Sequence, residues 1–417
     1  MTKSATTGSL LVIFLTVFID LLGFGLVLPL LPIYAQQFTV DESGLTIGLL
    51  MASFSAMQFL FAPVWGRLSD RIGRRPVLMI GLAGSVVFYT LFGIATVYSS
   101  LTWLFISRIG AGIAGATIPT AQAYIADTTT LQTRAKGMAL VGAAFGLGFT
   151  FGPLLGYLAV PSGVGDPGPW PGYVAAILSA FALVLAWFKL PESLSATSAP
   201  AQRKLFDARA FREAINIPSI GALLAASFVC IFAFSMFETT ISMLVKGEKI
   251  DSPFRFDFQQ VCLTFAYIGL TLTIAQGLIV RRLSTRVSEG TLAVSGALFE
   301  IGGFGMMLAA IRSGAVPMLL FALTVVVVGF SLMQPSLNSL ISRRSDPARQ
   351  GGILGLNQSI SSLARILGPL LGIPLLSWQV EWPYFLGIIL MAAGQFMIIR
   401  AVRQGRDYDN TAVRSSN

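Results

Sequence analysis

The chain has 417 residues, 54% of them apolar and only 11% charged, with a mean hydropathy of +0.76. An ordinary soluble domain carries roughly 25% charged residues, so this composition excludes a soluble globular enzyme, a disordered tail and a secreted disulfide scaffold. The net charge of +9 comes from 28 Lys and Arg against 19 Asp and Glu, and there is no histidine to titrate near neutral pH.

Apolar runs of membrane length recur along the chain. They predict spans at 8–34, 43–65, 77–97, 101–125, 135–159 and 171–190, then at 218–245, 257–280, 289–311, 315–341, 351–377 and 382–401. The first run is too long for a signal peptide, and Asp20 interrupts it. The fold class is therefore all-α and integral to a membrane, with twelve transmembrane helices. Two cysteines, Cys230 and Cys262, fall in apolar spans and form no disulfide framework. The polar, Ser- and Ala-rich stretch after span six reads as a linker. It divides the chain into a six-helix half at 1–190, a cytoplasmic linker at 191–217, and a second half at 218–417 with a short cytoplasmic tail.

With the N-terminus inside, the inner segments hold 22 Lys and Arg, from Lys3 to Arg414, against four outside: Lys246, Lys249, Arg255 and Arg312. That asymmetry predicts both termini in the cytoplasm. It makes the positive charge a topology signal, with no nucleic-acid partner implied. The same residues also suit anionic lipid at the inner face.

The halves share an internal repeat. At an offset of 216 residues, Pro119 falls on Pro335, Gln122 on Asn338, and Gly152-Pro153-Leu154-Leu155-Gly156 on Gly368-Pro369-Leu370-Leu371-Gly372. Gly and Pro inside membrane helices set close contacts and bends, so shared spacing points to shared backbone geometry. Two pseudo-symmetric halves fit a transporter working around a midplane site. No phosphate-binding loop of the G-x-x-x-x-G-K-[ST] type occurs, so transport draws on an ion gradient or on the substrate's own gradient.

After span two comes Gly66-Arg67-Leu68-Ser69-Asp70-Arg71-Ile72-Gly73-Arg74-Arg75-Pro76. Mixed charge held between glycines fits a turn that latches helices, where Asp70 accepts bonds from a helix N-terminus or an arginine. This resembles the signature loop of the major facilitator superfamily, and the likeness covers essentially the whole chain. Ile19-Asp20-Leu21-Leu22-Gly23-Phe24-Gly25, Met57-Gln58-Phe59 with Ala62-Pro63, and Ala123-Tyr124-Ile125-Ala126-Asp127 are similar to the drug/proton antiporters related to tetracycline exporters. The resemblance implies that the loop locks the cytoplasmic side, and that Arg71 or Arg74 pairs with Asp127. Span four carries Arg108-Ile109-Gly110-Ala111-Gly112, similar to that family's arginine motif, with Asp20 on span one the expected partner of Arg108. Gly148, Gly152 and Gly156 in span five, with Pro153 beside them, place small residues on one helix face. They resemble the family's antiporter motif, which implies export. Tyr157 departs from that pattern.

Three carboxylates lie deep in spans: Asp20, Glu238 and Glu300. With no histidine they are the natural proton carriers. Glu300 sits where the tetracycline exporters carry a membrane aspartate. Glu238 is argued from depth alone, and its position near a span end also fits a side chain snorkelling outward. Two departures count against metal-chelated tetracycline as substrate: Phe88 stands where those exporters have an acid, and an aliphatic residue near Leu272 where they have a histidine. Gln58, Gln122, Gln334, Asn338, Asn357 and Gln358 are polar groups for a wet cavity, with Phe24 as an aromatic wall. Arg365 is set to pair with Glu300, with Glu238 or with an anionic substrate.

The sequence thus reads as a secondary transporter and not an enzyme, with no cofactor and no metal. Proton-coupled export of a small amphipathic or drug-like molecule by alternating access is expected, from a monomer in the lipid bilayer of a bacterial cytoplasmic membrane. The alternatives are uptake or uniport of a small metabolite or organic anion, and a non-transporting membrane receptor.

Overall fold

A computed structural model describes residues 7–38, 41, 43–129, 134–160, 167–194, 218–248, 250–345 and 350–404. Linker residues 195–217 lie outside the described residues, as do the topology charges Lys3, Arg203, Lys204, Arg209, Arg212, Lys249, Arg349, Arg406 and Arg414.

The predicted spans appear as α1 (Thr7–Val27), α2 (Leu45–Ile72), α3 (Arg74–Val97), α4 (Leu101–Thr128), α5 (Arg134–Ala159) and α6 (Trp170–Lys189). The second set is α7 (Pro218–Lys246), α8 (Phe258–Leu283), α9 (Glu289–Ser313), α10 (Val316–Arg344), α11 (Gln350–Trp378) and α12 (Trp382–Gln404). Eleven of these spans are long and apolar enough to cross a bilayer among the described residues, and α5 is apolar over Ala143–Ala159.

Local chemistry explains the breaks. Pro29 lies in the turn at 28–30 that divides the first span, and Pro32 stands in the first turn of the short helix that follows at Leu31–Phe38. In α4 a 3₁₀ turn at Gly115–Thr117 stands just ahead of Pro119. Ser100 and Ser288 cap α4 and α9 by accepting from the Trp103 and Thr291 amides. Asp41 does the same at the start of α2. It bonds the Ser43 hydroxyl and the Thr46 amide, and these bonds hold its carboxyl down at about 2.

The expected loop between spans two and three is much shorter than the sequence pattern predicts. α2 runs to Ile72, so Gly66, Asp70 and Arg71 are helical and the chain turns at Gly73 alone. No proline falls between 66 and 72, and Gly66 meets nothing within 4 Å, so neither residue type nor crowding ends the helix there. Gly73 turns at φ +106°, where a side chain is strained.

The repeat reappears as matched helix pairs. α1 packs on α5 as α7 packs on α11, α3 on α4 as α9 on α10, and α3 on α6 as α9 on α12. By packing, the described chain forms two units that depart from the sequence division: one includes 239–273 and 369–380 with the first 205 residues. Small residues make this possible. A Cβ on Gly48 of α2 would lie 2.8 Å from the Pro369 carbonyl, and one on Gly156 of α5 would lie 3.2 Å from the Cys262 sulfur. Parts of α7, α8 and α11 therefore pack against the first-half helices. The other unit holds 206–238, 274–368 and 381–417. Its tightest element pair is α9 against α10, where Gly296 and Gly329 face each other's backbones.

Candidate transport site

The basic hairpin is built around Arg74, whose guanidinium is nearly buried. Its Nη1 reaches Asp70 at 2.6 Å and the Ser69 hydroxyl at 2.6 Å, and its Nε reaches Asp127 at the end of α4 at 3.1 Å. One side chain thus ties α2, α3 and α4 together. Of the two arginines expected opposite Asp127, the structure selects Arg74; Arg71 makes no ion pair among the described residues.

The sequence pattern missed Glu192. Just past α6, its carboxylate accepts the Arg74 and Arg75 amides at 2.9 and 3.1 Å, which are the first two N–H groups of α3. An anion there satisfies orphan donors and meets the positive end of the helix dipole. A Cβ on Gly73 would run into this carboxylate. Ser193 adds a bond to Asp127, and Arg75 donates to the Trp187 carbonyl at 2.6 Å. The available signal was Pro191-Glu192, an acid directly after a span opposite a basic helix start.

Asp20 and Arg108 do not pair, and this corrects the expectation. Asp20 Oδ1 accepts from the Ser179 hydroxyl on α6 at 3.2 Å. Arg108 instead lies over the Phe54 ring of α2, 4.4 Å from its centroid, and its Nε has no partner among the described residues. The reason lies in the packing. A Cβ on Gly23 would lie 3.3 Å from the Ala175 carbonyl, so α6 comes close beside Asp20, whereas Gly112 brings α2 to within 2.6 Å of such a probe beside Arg108. A desolvated cation over an aromatic face gains about 2 kcal/mol, which offsets part of the burial cost.

The small residues of α5 meet α1. A Cβ on Gly25 would lie 2.6 Å from the Gly148 carbonyl, and one on Gly152 would lie 2.8 Å from the Gly25 backbone. Gly148 closes on Leu21, Gly156 on Leu26, and Pro153 sits between these contacts within the helix. Phe24, in the same stretch, stacks on Phe54 at 5.0 Å and meets Phe149 edge-on at 5.9 Å. Phe88 packs its ring against Gly110 of α4, which gives that departure from the tetracycline exporters a packing role. The other departure, near Leu272, precedes a π-helical turn at Ala275–Val280.

In the unit holding most of the second half, Arg365 Nη1 bonds Glu238 Oε2 at 3.0 Å, which resolves the open choice of partner. Glu238 is drawn to α11 by this bond, so the snorkelling reading does not describe it. Glu300 on α9 is fully buried against Gly329 of α10, and neither carboxylate oxygen has a partner among the described residues. Asn357 donates to Asn338 at 2.8 Å. Gln334 keeps a buried oxygen with no partner among the described residues, whereas Gln122 and Gln358 are exposed. Gln58 donates to the Gly115 carbonyl at 3.3 Å. Among the described residues no cluster of Cys, Asp or Glu could hold a metal.

Membrane-length helices paired twice over in the same way, with charges midway along them, define a multi-pass membrane transporter. The sequence profile of the Major Facilitator Superfamily matches residues 13–369. The chain belongs to that superfamily, whose members move small molecules across lipid membranes and are not enzymes. It is 31% identical over 356 residues to the class D tetracycline resistance protein of Salmonella ordonez, covering 85% of this chain and 86% of that protein. It is also 31% identical to major facilitator superfamily domain-containing protein 10 of Bos taurus over 423 residues, covering 88% and 87%. Its fold superposes on the crystal structure of a human organic anion transporter with a TM-score of 0.71 at 26% identity, covering 94% and 98%.

Proposed function

We propose that this chain exports a small amphipathic or drug-like molecule from the cytoplasm of a bacterium in exchange for protons, by alternating access. It acts as a monomer, with both termini cytoplasmic and no nucleic-acid partner. The observation that carries the reading is Glu300, a fully buried carboxyl without a hydrogen-bond donor or cation among the described residues. An unpaired carboxylate in such surroundings costs several kcal/mol, so a buried acid of this kind suits a group that carries a proton. Reaching water or a cation lets it release that proton. Asp20, which accepts from the Ser179 hydroxyl, is the second carrier, and Arg108 belongs to the same coupling set. Glu238 is the third candidate. The Arg74 tie to Asp70 and Asp127 serves as the cytoplasmic latch, with Gly66, Arg71 and Gly73 shaping it. The α1–α5 contact is the dry seam that keeps protons from leaking. Similarity to tetracycline resistance proteins supports the outward direction.

Inverted membrane vesicles with an imposed proton gradient test this, using a panel of fluorescent amphipathic dyes of each charge. Gradient-driven dye accumulation is expected for the native chain. Asp20→Asn and Glu300→Gln should each lower it at least tenfold while leaving downhill exchange measurable. Accumulation that persists in both variants sinks the proton-coupling roles.

A further inference from the structure

We infer that Arg365 and Glu238 are the charge-reading site for the transported molecule, and that this molecule is an amphipathic organic anion. Its carboxylate or sulfonate takes the place of Glu238 on Arg365. The inference rests on the transporter reading and names its substrate class.

Arg365 stands in the middle of α11, which spans Gln350–Trp378. At 1.5 Å per residue it lies roughly 20 Å from either end, too far for its head to snorkel to the membrane surface. Its side chain is nonetheless 44% exposed. A guanidinium facing lipid at that depth is strongly disfavoured, so the open side of Arg365 faces water or a ligand. Only Nη1 is engaged, by Glu238 at 3.0 Å; the remaining donors carry no bond among the described residues. A guanidinium presents its donors as a planar fork matched to a carboxylate, and one bond to Glu238 leaves that fork half used.

The surroundings fit an anion with an apolar body. Asn357, Ser361 and Arg365 follow at i, i+4 and i+8, which makes one face of α11 polar. On α7 and α10, Phe234 and Phe330 stack with ring centroids 3.8 Å apart, one turn before Glu238 and Gln334 respectively. An aromatic pair one helical turn from Glu238 suits a ligand with one apolar and one charged end. The sign follows from access. Of the paired groups Arg365 is the more open, at 44% against 19% for Glu238. Glu300, the other deep acid in this unit, is fully buried. A cation therefore finds no open carboxylate, whereas an anion finds an arginine with spare donors. Glu238 keeps the empty site neutral.

Thermal stabilisation of the purified full-length protein tests this with three probes of one apolar body: naphthylacetate, neutral naphthylacetamide and cationic naphthylethylammonium. The acid should stabilise at concentrations about tenfold lower than the other two. Arg365→Gln should erase that preference. Glu238→Gln should strengthen acid binding several-fold by removing the internal competitor. Arg365→Lys, which keeps the charge and loses the fork, should reduce the preference without erasing it and stands in if Arg365→Gln does not fold. Equal stabilisation by the three probes, a preference unchanged in the arginine variants, or weaker acid binding in Glu238→Gln overturns the inference. Acid binding without gradient-driven vesicle transport sinks proton-coupled export and leaves this site standing. Gradient-driven export that favours amines does the reverse.

Discussion

Glu192 shows how one side chain can order a junction of three helices. Its carboxylate takes the first two amides of α3, which have no partner within their own helix, while Arg74 on the same turn reaches Asp70 and Asp127. Replacing an N-terminal capping acceptor costs about 1 kcal/mol. Glu192→Ala should therefore lower the thermal unfolding midpoint of purified protein, and Glu192→Gln should recover part of the loss because its amide oxygen still accepts. An unchanged midpoint in both would leave the carboxylate without a structural role. At this scale the sequence marked the charged residues well and their partners poorly. Asp127 was legible because the motif placed it opposite a basic turn. The Asp20–Arg108 pair was not, because the side chains turn toward α6 and α2, a choice made by where Gly23 and Gly112 admit a neighbour. Proximity of two helices does not decide which faces meet.

Single helices tell a similar story about glycine. The motif in α5 and the glycine-bounded hairpin look alike in sequence, yet they meet different surroundings. A methyl group on Gly152 would press into the α1 backbone at 2.8 Å, whereas one on Gly66 meets nothing within 4 Å. Overpacking a tight helix contact costs about 1–3 kcal/mol, and alanine in an open helix site gains about 0.5–1 kcal/mol over glycine. Gly152→Ala should destabilise the protein and slow transport, while Gly66→Ala should leave stability equal or higher. Melting curves and vesicle flux on the two variants check this, and equal losses would contradict the assigned surroundings. The element boundaries were largely readable because long apolar runs admit only helices in a bilayer. The extent of α2 was not, since glycines and charges that resemble a loop also fit the exposed end of a long helix.

For the whole molecule, the lysine and arginine asymmetry predicts an orientation that labelling can read. Both native cysteines are buried, so they contribute no background to an impermeant maleimide. Ser313→Cys, exposed at the end of α9, should be labelled in intact cells, and Ser284→Cys, exposed after α8, should be labelled only after permeabilisation. The opposite pattern would invert the topology and, with it, the direction assigned to transport. The internal repeat survived folding as three matched helix pairs, which is why an offset of 216 residues is informative in the sequence alone. The packing units were not foreseeable. Residues 239–273 and 369–380 join the first half through contacts at Gly48, Gly156 and Gly269, which are distant in sequence and visible only as close approaches of backbone.

By itself the sequence determined the membrane, the number of spans, the twofold repeat and the identity of the deep charges. Each follows from composition and period, which act locally along the chain and need no partner. Tertiary structure alone decided that Arg108 rests on Phe54 and not on Asp20, that Glu300 stands without a partner among the described residues, and that Arg365 shares Glu238 while keeping most of its donors open. Those outcomes turn on which helix faces meet. Small residues set that geometry at a few contact points, and no pattern along a single helix encodes it.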